Sequence, residues 1–308
     1  MKRLALAVIL TVAVSGSAFG HAGSTFFAPS VPDPSAVTVD GSEDDWGWYD
    51  REFAVLPDQI QAWAGAAAGL GPGEQAEDYS ATYFMAWSLP PDNNLYFFAR
   101  AFDDTLSVQW ADNKRNWWDD DTFMIGFDSD HTGGSILVNE NIEEAQNGYR
   151  IVVNSVGSNE LGVDMGGMLG TDVNPTGDWG GLPPYAEVAT TILPAGADHG
   201  SENVEYGYEL KMAVWDSYDP EGPDGGLNIR HEFTPDRIIH ASVRLNDVDM
   251  VNDAGTRNQY GYAGGASDGQ ADGEQGTDVI TVLTHDPSTA VENSTWGRIK
   301  SHQENALR

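Results

Sequence analysis

The sequence predicts an all-β protein, folded as an antiparallel β-sandwich with jelly-roll-like character. Short apolar and aromatic segments recur along the 308 residues, and clusters of Gly, Asp, Asn and Pro separate them. The one stretch with helical spacing, residues 60–70, contains Gly65 and Gly69, which weaken it as a helix. Strands that follow one another without intervening helices favour a sandwich of antiparallel sheets.

The N-terminus has the pattern of a secretory signal peptide. Two basic residues precede an uncharged apolar run at residues 4–14, and small residues follow it. The run is too short to cross a bilayer, which argues against a membrane anchor. We therefore predict a signal peptide over residues 1–22, a poorly ordered leader over residues 23–35 and one sandwich domain over residues 36–308. The mature protein is expected to be secreted or periplasmic.

The clearest strands form a hairpin near the middle of the first half. Residues 80–87 and 95–102 are joined by a Pro-Pro-Asp-Asn-Asn turn at residues 90–94. Residues 95–102 are apolar on both faces apart from Arg100, which is typical of a strand at the centre of a sheet. The other predicted strands are residues 122–127, 149–154, 185–192, 206–215, 238–245, 279–283 and 295–300.

The amino-acid composition excludes several classes of partner and cofactor. The formal net charge of −33 disfavours binding to nucleic acid and to anionic membranes, because like charges repel. Cysteine is absent, which excludes disulfides, thiolate metal sites and haem attachment through Cys-x-x-Cys-His. No segment after the N-terminal run is apolar enough to insert into a membrane. The sequence leaves the oligomeric state open.

Six motifs, in order along residues 38–300, resemble family 9 carbohydrate-binding modules. The first is Val39-Asp40-Gly41 followed by Trp46, which is similar to the opening turn of that family. Another begins at Trp118 and ends at Asp128, and resembles the family's Trp-x-x-Asp-Ser-Val-Glu-x-x-x-Asp strand. The remaining matches are Trp87 with Leu95-Tyr96 and Asp103-Asp104, Gly207-Tyr208, the strand that ends Leu245-Asn246-Asp247, and Trp296-Gly297-Arg298-Ile299. The resemblance implies a sandwich of the carbohydrate-binding-module type that binds a polysaccharide or oligosaccharide.

The resemblance also implies part of a sugar site. In the family a Trp stacks on the terminal sugar and an Arg on the next strand bonds its hydroxyls, and Trp118 and Arg150 match these positions. Met124 stands where the family has a Glu that contacts the sugar, and the second stacking Trp is missing. Trp117 is adjacent to Trp118, and Tyr260 and Tyr262 are candidates to replace the missing second Trp. The predicted ligand-binding residues are Trp118, Arg150, Trp117, Tyr260 and Tyr262.

Structural calcium is the expected cofactor. Hard cations take about six to eight oxygen ligands, and Asp-dense segments at residues 103–104, 119–121, 128–130 and 247–249 supply carboxylates. Calcium in members of the resembled family points the same way. The predicted metal ligands are Asp103, Asp104, Asp121, Asp128 and Asp130. The seven His are scattered without a His-x-x-x-His pair, so their spacing does not indicate zinc.

Three functional classes are compatible with the sequence. The first is glycan recognition without catalysis, and the second is a structural or surface-assembly protein. The third is a haem-b-binding sandwich that uses Met124 and Lys211, since a related sandwich family holds haem between Met and Lys. We predict no enzymatic activity, because the chain has no Gly-x-Ser-x-Gly, phosphate-loop or dinucleotide motif. With 48 acidic residues, a pair of carboxylates carries no signal for glycoside hydrolysis.

Overall fold

The computed structural model describes most of the sandwich. Its described residues are 25–65, 67, 69–108, 120–131, 148–153, 161–165, 177–219, 222–249, 257–262 and 277–285. Among these residues the regular structure consists of β-strands and short 3-10 helices. No helix in this part of the chain has the length and apolar character needed to span a membrane.

Two sheets and a short ribbon make up the fold, with strands numbered in chain order. The eight-stranded sheet contains β1 (Phe26–Pro29), β2 (Ile60–Ala64), β5 (Phe123–Asp128), β6 (Gly148–Val153), β7 (Leu161–Met165), β12 (Ile238–Val248), β13 (Arg257–Tyr262) and β14 (Thr277–Val282). The four-stranded sheet contains β3 (Tyr79–Trp87), β4 (Leu95–Thr105), β8 (Ala186–Leu193) and β9 (Glu202–Met212). The ribbon pairs β10 (Trp215–Ser217) with β11 (Ile229–Arg230).

Strand pairing is antiparallel throughout both sheets except between β1 and β14. The small sheet has the order β3-β4-β9-β8, and the large sheet has the order β1-β14-β12-β5-β6-β7, with β13 joining β12 to β2. The predicted hairpin is present, and β4 lies at the centre of its sheet as its two apolar faces indicated. The prediction of an antiparallel β-sandwich is confirmed.

The main core lies between the two sheets. Residues that alternate along β3 and β4, such as Tyr83 and Phe97, face inward against Phe123 and Ile125 of β5. The ring of Phe97 stacks on that of Phe123 across the interface, with centroids 4.3 Å apart. Each fully buried side chain of this size stabilises the fold by about 1.5–3 kcal/mol relative to an exposed one. This layer therefore holds the two sheets face to face.

A second core covers the outer face of the small sheet. Trp46, Tyr49 and Phe53, from the segment before β2, pack on Phe84 and Phe98. Over most of their length β3 and β4 are thus buried on both faces, which is why β4 shows no polar alternation.

Residues 40–53, called the covering segment, are hydrogen-bonded to the sheet at their start by a carboxylate on β9. The backbone amides of Asp40 and Gly41 donate to Oε2 of Glu209, at 2.9 Å each. Nε1 of Trp46 donates to Oε1 of the same side chain at 2.8 Å. Gly41 has φ +79°, and a Cβ on neighbouring Gly207 would lie 2.5 Å from the Gly41 carbonyl oxygen. The Asp-Gly turn of the first sequence motif therefore serves to dock this segment.

One expectation about local structure was wrong, and one weak helical pattern belongs to a strand. Part of the leader expected to be poorly ordered forms β1, because Phe26–Pro29 pairs in register with the last strand of the large sheet. Residues 60–70, whose helical spacing Gly65 and Gly69 weaken, begin with a strand rather than a helix. Ile60–Ala64 forms β2 and pairs with β13, so Ile60 and Ala62 are buried by strand alternation. The strand predicted at residues 295–300 lies outside the described residues.

Candidate functional site

Six Asp side chains meet at one end of the sandwich and are called the acidic cluster here. They form overlapping groups of three whose carboxylate oxygens lie within 4.8 Å of one another. Two groups share Asp103, and two share Asp247. The members of the acidic cluster are Asp78, Asp103, Asp104, Asp121, Asp247 and Asp249.

Antiparallel register brings these residues together from distant parts of the chain. The start of β3 lies beside the end of β4, where Tyr79 pairs with Asp103 and the Asp104 amide donates to the Asp78 carbonyl at 3.0 Å. The start of β5 lies beside the end of β12 in the same way, which places Asp121 near Asp247. The acidic cluster thus joins strand ends from both sheets.

Burial and backbone hydrogen bonds fix the inner carboxylates. Asp103, Asp121 and Asp247 are fully buried. The Val248 amide donates to Oδ1 of Asp121 at 2.8 Å, and the Thr105 amide donates to Oδ1 of Asp103 at 2.8 Å. Oδ1 of Asp247 is buried and accepts no hydrogen bond from the described residues. A buried oxygen of this kind is costly unless a cation or water binds it.

The electrostatics of the acidic cluster also call for a positive partner. Burial raises the pKa of Asp103 to about 6 and that of Asp249 to about 7, and neighbouring carboxylates add to both increases. The pKa values of Asp121 and Asp247 rise well above the ordinary range for the same two reasons. Within the described part of the chain, none of the six forms an ion pair with Lys or Arg. The all-oxygen donor set therefore fits a hard divalent cation such as calcium.

Three of the five predicted metal ligands belong to the acidic cluster, namely Asp103, Asp104 and Asp121. Asp128 does not, because it ends β5 whereas Asp121 precedes it, and seven residues of strand span about 20 Å. Oδ2 of Asp128 lies 3.3 Å from Nδ1 of His240 instead. Asp130 belongs to none of the metal-ligating groups found among the described residues. The set named from the sequence also lacked Asp78, Asp247 and Asp249. Residues 247–249 stood out as an Asp-dense segment, whereas the surroundings of Asp78 in the sequence gave no sign of its partners.

Tyr260 was wrongly assigned to the sugar site. Its side chain is fully buried and stacks on Tyr79, with ring centroids 4.8 Å apart and planes 6° apart. Its hydroxyl donates to Oδ2 of Asp78 at 3.3 Å. Tyr260 therefore packs against the acidic cluster and is out of reach of a glycan.

The other predicted sugar-binding residues have separate positions. Tyr262 is half-buried and lines a shallow cleft with apolar residues that include Phe26 and Val279. Arg150 occupies the β6 position opposite Gly126 of β5. Trp117 and Trp118 lie outside the described residues.

The haem alternative is wrong on geometry. Met124 is buried in β5 between two residues that face the main core, so it lies on the outer side of the large sheet. Lys211 lies between Leu210 and Met212, which also face that core, so it lies on the outer side of the small sheet. Nζ of Lys211 is 2.8 Å from Oδ1 of Asp92. With the whole core between them, Met124 and Lys211 cannot ligate one iron atom.

Comparison with known proteins supports the fold. No protein-family model matches the chain, and no curated relative matches it. One similar solved structure is a family 9 carbohydrate-binding module from Caldicellulosiruptor kristjanssonii in complex with cellotriose, with a TM-score of 0.52 at 14% identity. The match covers 88% of this chain and 100% of that chain. A glucose complex of a module of that family and organism matches with a TM-score of 0.51 at 14% identity, over 85% and 98% of the two chains.

The chain is therefore an all-β sandwich with a fold like that of family 9 carbohydrate-binding modules, as its motifs indicated. The likeness spans the complete length of the cellotriose-bound module.

Proposed function

We propose that this protein is an exported carbohydrate-binding module that recognises a polysaccharide or oligosaccharide and catalyses no reaction. The observation that carries the proposal is the likeness to complete modules bound to cellotriose and glucose. Trp118 and Arg150 supply the two kinds of contact that sugars need. A ring stacks on the apolar sugar face, and a guanidinium donates to hydroxyls in bonds worth about 1.5–3 kcal/mol each.

Structural calcium belongs to the same proposal. The acidic cluster would hold the ion through Asp103, Asp121 and Asp247, with the half-buried members around them. Bound calcium would supply positive charge and no covalent chemistry. It would neutralise the buried carboxylates and so hold together the ends of β3, β4, β5 and β12.

A glycan array followed by calorimetry with cello-oligosaccharides tests the recognition. We expect the mature chain to bind in calcium, and Trp118→Ala or Arg150→Ala to weaken binding by at least tenfold, about 1.4 kcal/mol. Arg237→Ala is the matched control, because that Arg is exposed and is not among the predicted site residues. Trp117→Ala tests whether the neighbouring ring contributes.

The same protein preparation distinguishes glycan recognition from the alternative of a surface-assembly protein. If the folded protein binds no glycan but forms large particles when calcium is added, light scattering will detect them and glycan recognition is refuted. Export is tested separately, by N-terminal sequencing of protein recovered outside the cytoplasm. A mature chain that still begins at Met1 would refute signal-peptide cleavage.

A further inference from the structure

Two His residues that are far apart in the sequence meet on the large sheet. His240 lies near the start of β12, and His131 lies three residues after the end of β5. Their ring centroids are 4.1 Å apart. Oδ1 of Asp278, on β14, is 2.8 Å from Nε2 of His240 and 3.5 Å from Nε2 of His131. Two imidazole nitrogens and one carboxylate oxygen thus converge on one point.

Strand register holds this arrangement in place. His240 pairs with Asp278 of β14 on one side and with Asp128 of β5 on the other. Residues directly opposite one another on neighbouring strands share a face. Since Ile239 and Ala241 face the main core, His240 and both carboxylates lie on the outer face of the large sheet. His240, Asp278 and Asp128 therefore lie on three adjacent strands, which hold side chains more rigidly than loops do, and His131 joins them from the segment that follows β5.

The backbone and the burial of these residues distinguish the site from ordinary surface charge. His131 has φ +61°, a left-handed conformation that is uncommon outside Gly and that concentrates at functional sites. The side chains of His240 and Asp128 are only 1% and 3% exposed. Those of His131 and Asp278 are 29% and 24% exposed, so the site lies near the surface although its three converging atoms are themselves buried.

We propose that His131, His240 and Asp278 form a binding site for a zinc-type divalent cation, distinct from the acidic cluster. Tetrahedral zinc with bonds of about 2.0–2.2 Å places its ligand atoms about 3.3 Å apart. The separations of 2.8 and 3.5 Å bracket that value, and all three ligand atoms lie within 4.8 Å of one another. Imidazole nitrogen selects zinc over calcium.

Asp128 fills the supporting role that such sites require. Its Oδ2 is 3.3 Å from Nδ1 of His240, the ring nitrogen that does not face the other ligands. A carboxylate at this position fixes the tautomer of a metal-binding His and raises its basicity. Three protein ligands leave a fourth position for water or for an external ligand. The bound cation ties β5, β12 and β14 together on the outer face of the sheet.

Zinc calorimetry on the chelator-treated mature chain tests the site, with excess calcium present to saturate the acidic cluster. We expect one zinc ion per chain. His131→Asn should weaken zinc binding by more than about 100-fold, and Asp128→Asn by about 10–100-fold. Asn is chosen because it tolerates the left-handed backbone of position 131. His199→Asn removes an exposed His outside the site and should leave binding unchanged.

Cobalt substitution gives a second readout that does not depend on affinity. Wild type should develop the visible absorption of tetrahedral cobalt, and His131→Asn should not. Equal unfolding temperatures of the two metal-free proteins will show that the variant is folded. The proposal is overturned if folded wild type binds no zinc in calcium, or if His131→Asn binds zinc as tightly as wild type. Either result would make the group an ion-paired network around His240.

Discussion

The indole nitrogen of Trp46 donates a 2.8 Å hydrogen bond to Oε1 of Glu209, and this bond links the covering segment to the middle of β9. The other oxygen of Glu209 accepts from two backbone amides of the Asp-Gly turn. One carboxylate therefore satisfies three donors, two of them in buried hydrogen bonds, and holds Trp46 on the outer face of the small sheet. The second core depends on this contact, since Trp46 packs on both Phe84 and Phe98.

Glu209→Ala should therefore destabilise the protein strongly. We expect the free energy of unfolding to fall by about 2–3 kcal/mol, because three donors lose their acceptor and two of them stay buried without one. Denaturant unfolding followed by Trp fluorescence measures the change. Glu205→Ala, at an exposed position on the same strand, is the control and should stay within about 0.5 kcal/mol of wild type. Equal effects of the two substitutions would contradict the docking role.

The pH dependence of stability should carry the signature of Glu209. Burial raises the pKa of this carboxyl to about 7, against the hydrogen bonds that favour its ionised form, and the nearby charge of Asp45 adds to the increase. The folded state then holds a proton that the unfolded state loses, so the stabilising contribution is complete below pH 4.5 and is lost as pH rises through about 7. Wild type should lose stability relative to Glu209→Gln across this interval. Measurements in saturating calcium keep the acidic cluster constant, and a difference that does not change with pH would refute the assignment.

Gly207→Ala tests the close approach of the Asp-Gly turn to the sheet. The added methyl group would lie 2.5 Å from the Gly41 carbonyl oxygen and 2.8 Å from Oγ1 of Thr191. Because both neighbours are held in place, we expect a loss of about 1–3 kcal/mol in unfolding free energy. Gly226→Ala is the matched control, since a Cβ there meets nothing within 4 Å. Similar stabilities of the two variants would show that the Asp-Gly turn shifts to accommodate the methyl group, and would contradict the prediction.

Local signals predicted the parts of the fold that form from neighbouring residues. The β3–β4 hairpin is one such part, because its turn and both strands lie within a short stretch of sequence. Residues 60–64 have helical spacing and become a strand only through pairing with β13, which no local pattern reports. Phe26–Pro29 is a strand for the same reason, since its partner β14 lies near the far end of the chain.

The candidate sites follow the same division. Asp103 and Asp121 could be found because they lie in Asp-dense segments, whereas Asp78 joins them only through the register of β3 and β4. Asp128 was predicted as a ligand because it lies in an Asp-dense segment. It is at the opposite end of β5 from the acidic cluster, where it contacts His240. His131 and His240 show no characteristic spacing at all, and only the adjacency of three strands brings them together with a carboxylate.

Calcium should stabilise the protein through Asp247, which belongs to two of the overlapping groups in the acidic cluster. At a calcium concentration about 100 times the dissociation constant, binding contributes about 2.7 kcal/mol. For a chain of this size that raises Tm by about 4 °C. Asp247→Asn keeps the shape of the side chain but removes one charge, so most of this increase should disappear. Asp130→Asn, outside the acidic cluster, should keep the full calcium effect.

The metal-free proteins decide between a ligand role and a merely structural role for Asp247. If the role of Asp247 is to bind calcium, its carboxylate should repel those of Asp103 and Asp249 once the ion is removed. The charges of these two residues raise the pKa of Asp247, which is the same repulsion. Asp247→Asn should then have a Tm equal to or above that of wild type in chelator and below it in calcium. Thermal unfolding in the two buffers measures this reversal. A structural carboxylate would lower Tm by the same amount in both buffers when replaced, because its hydrogen bond from Asn258 would count equally with and without the ion.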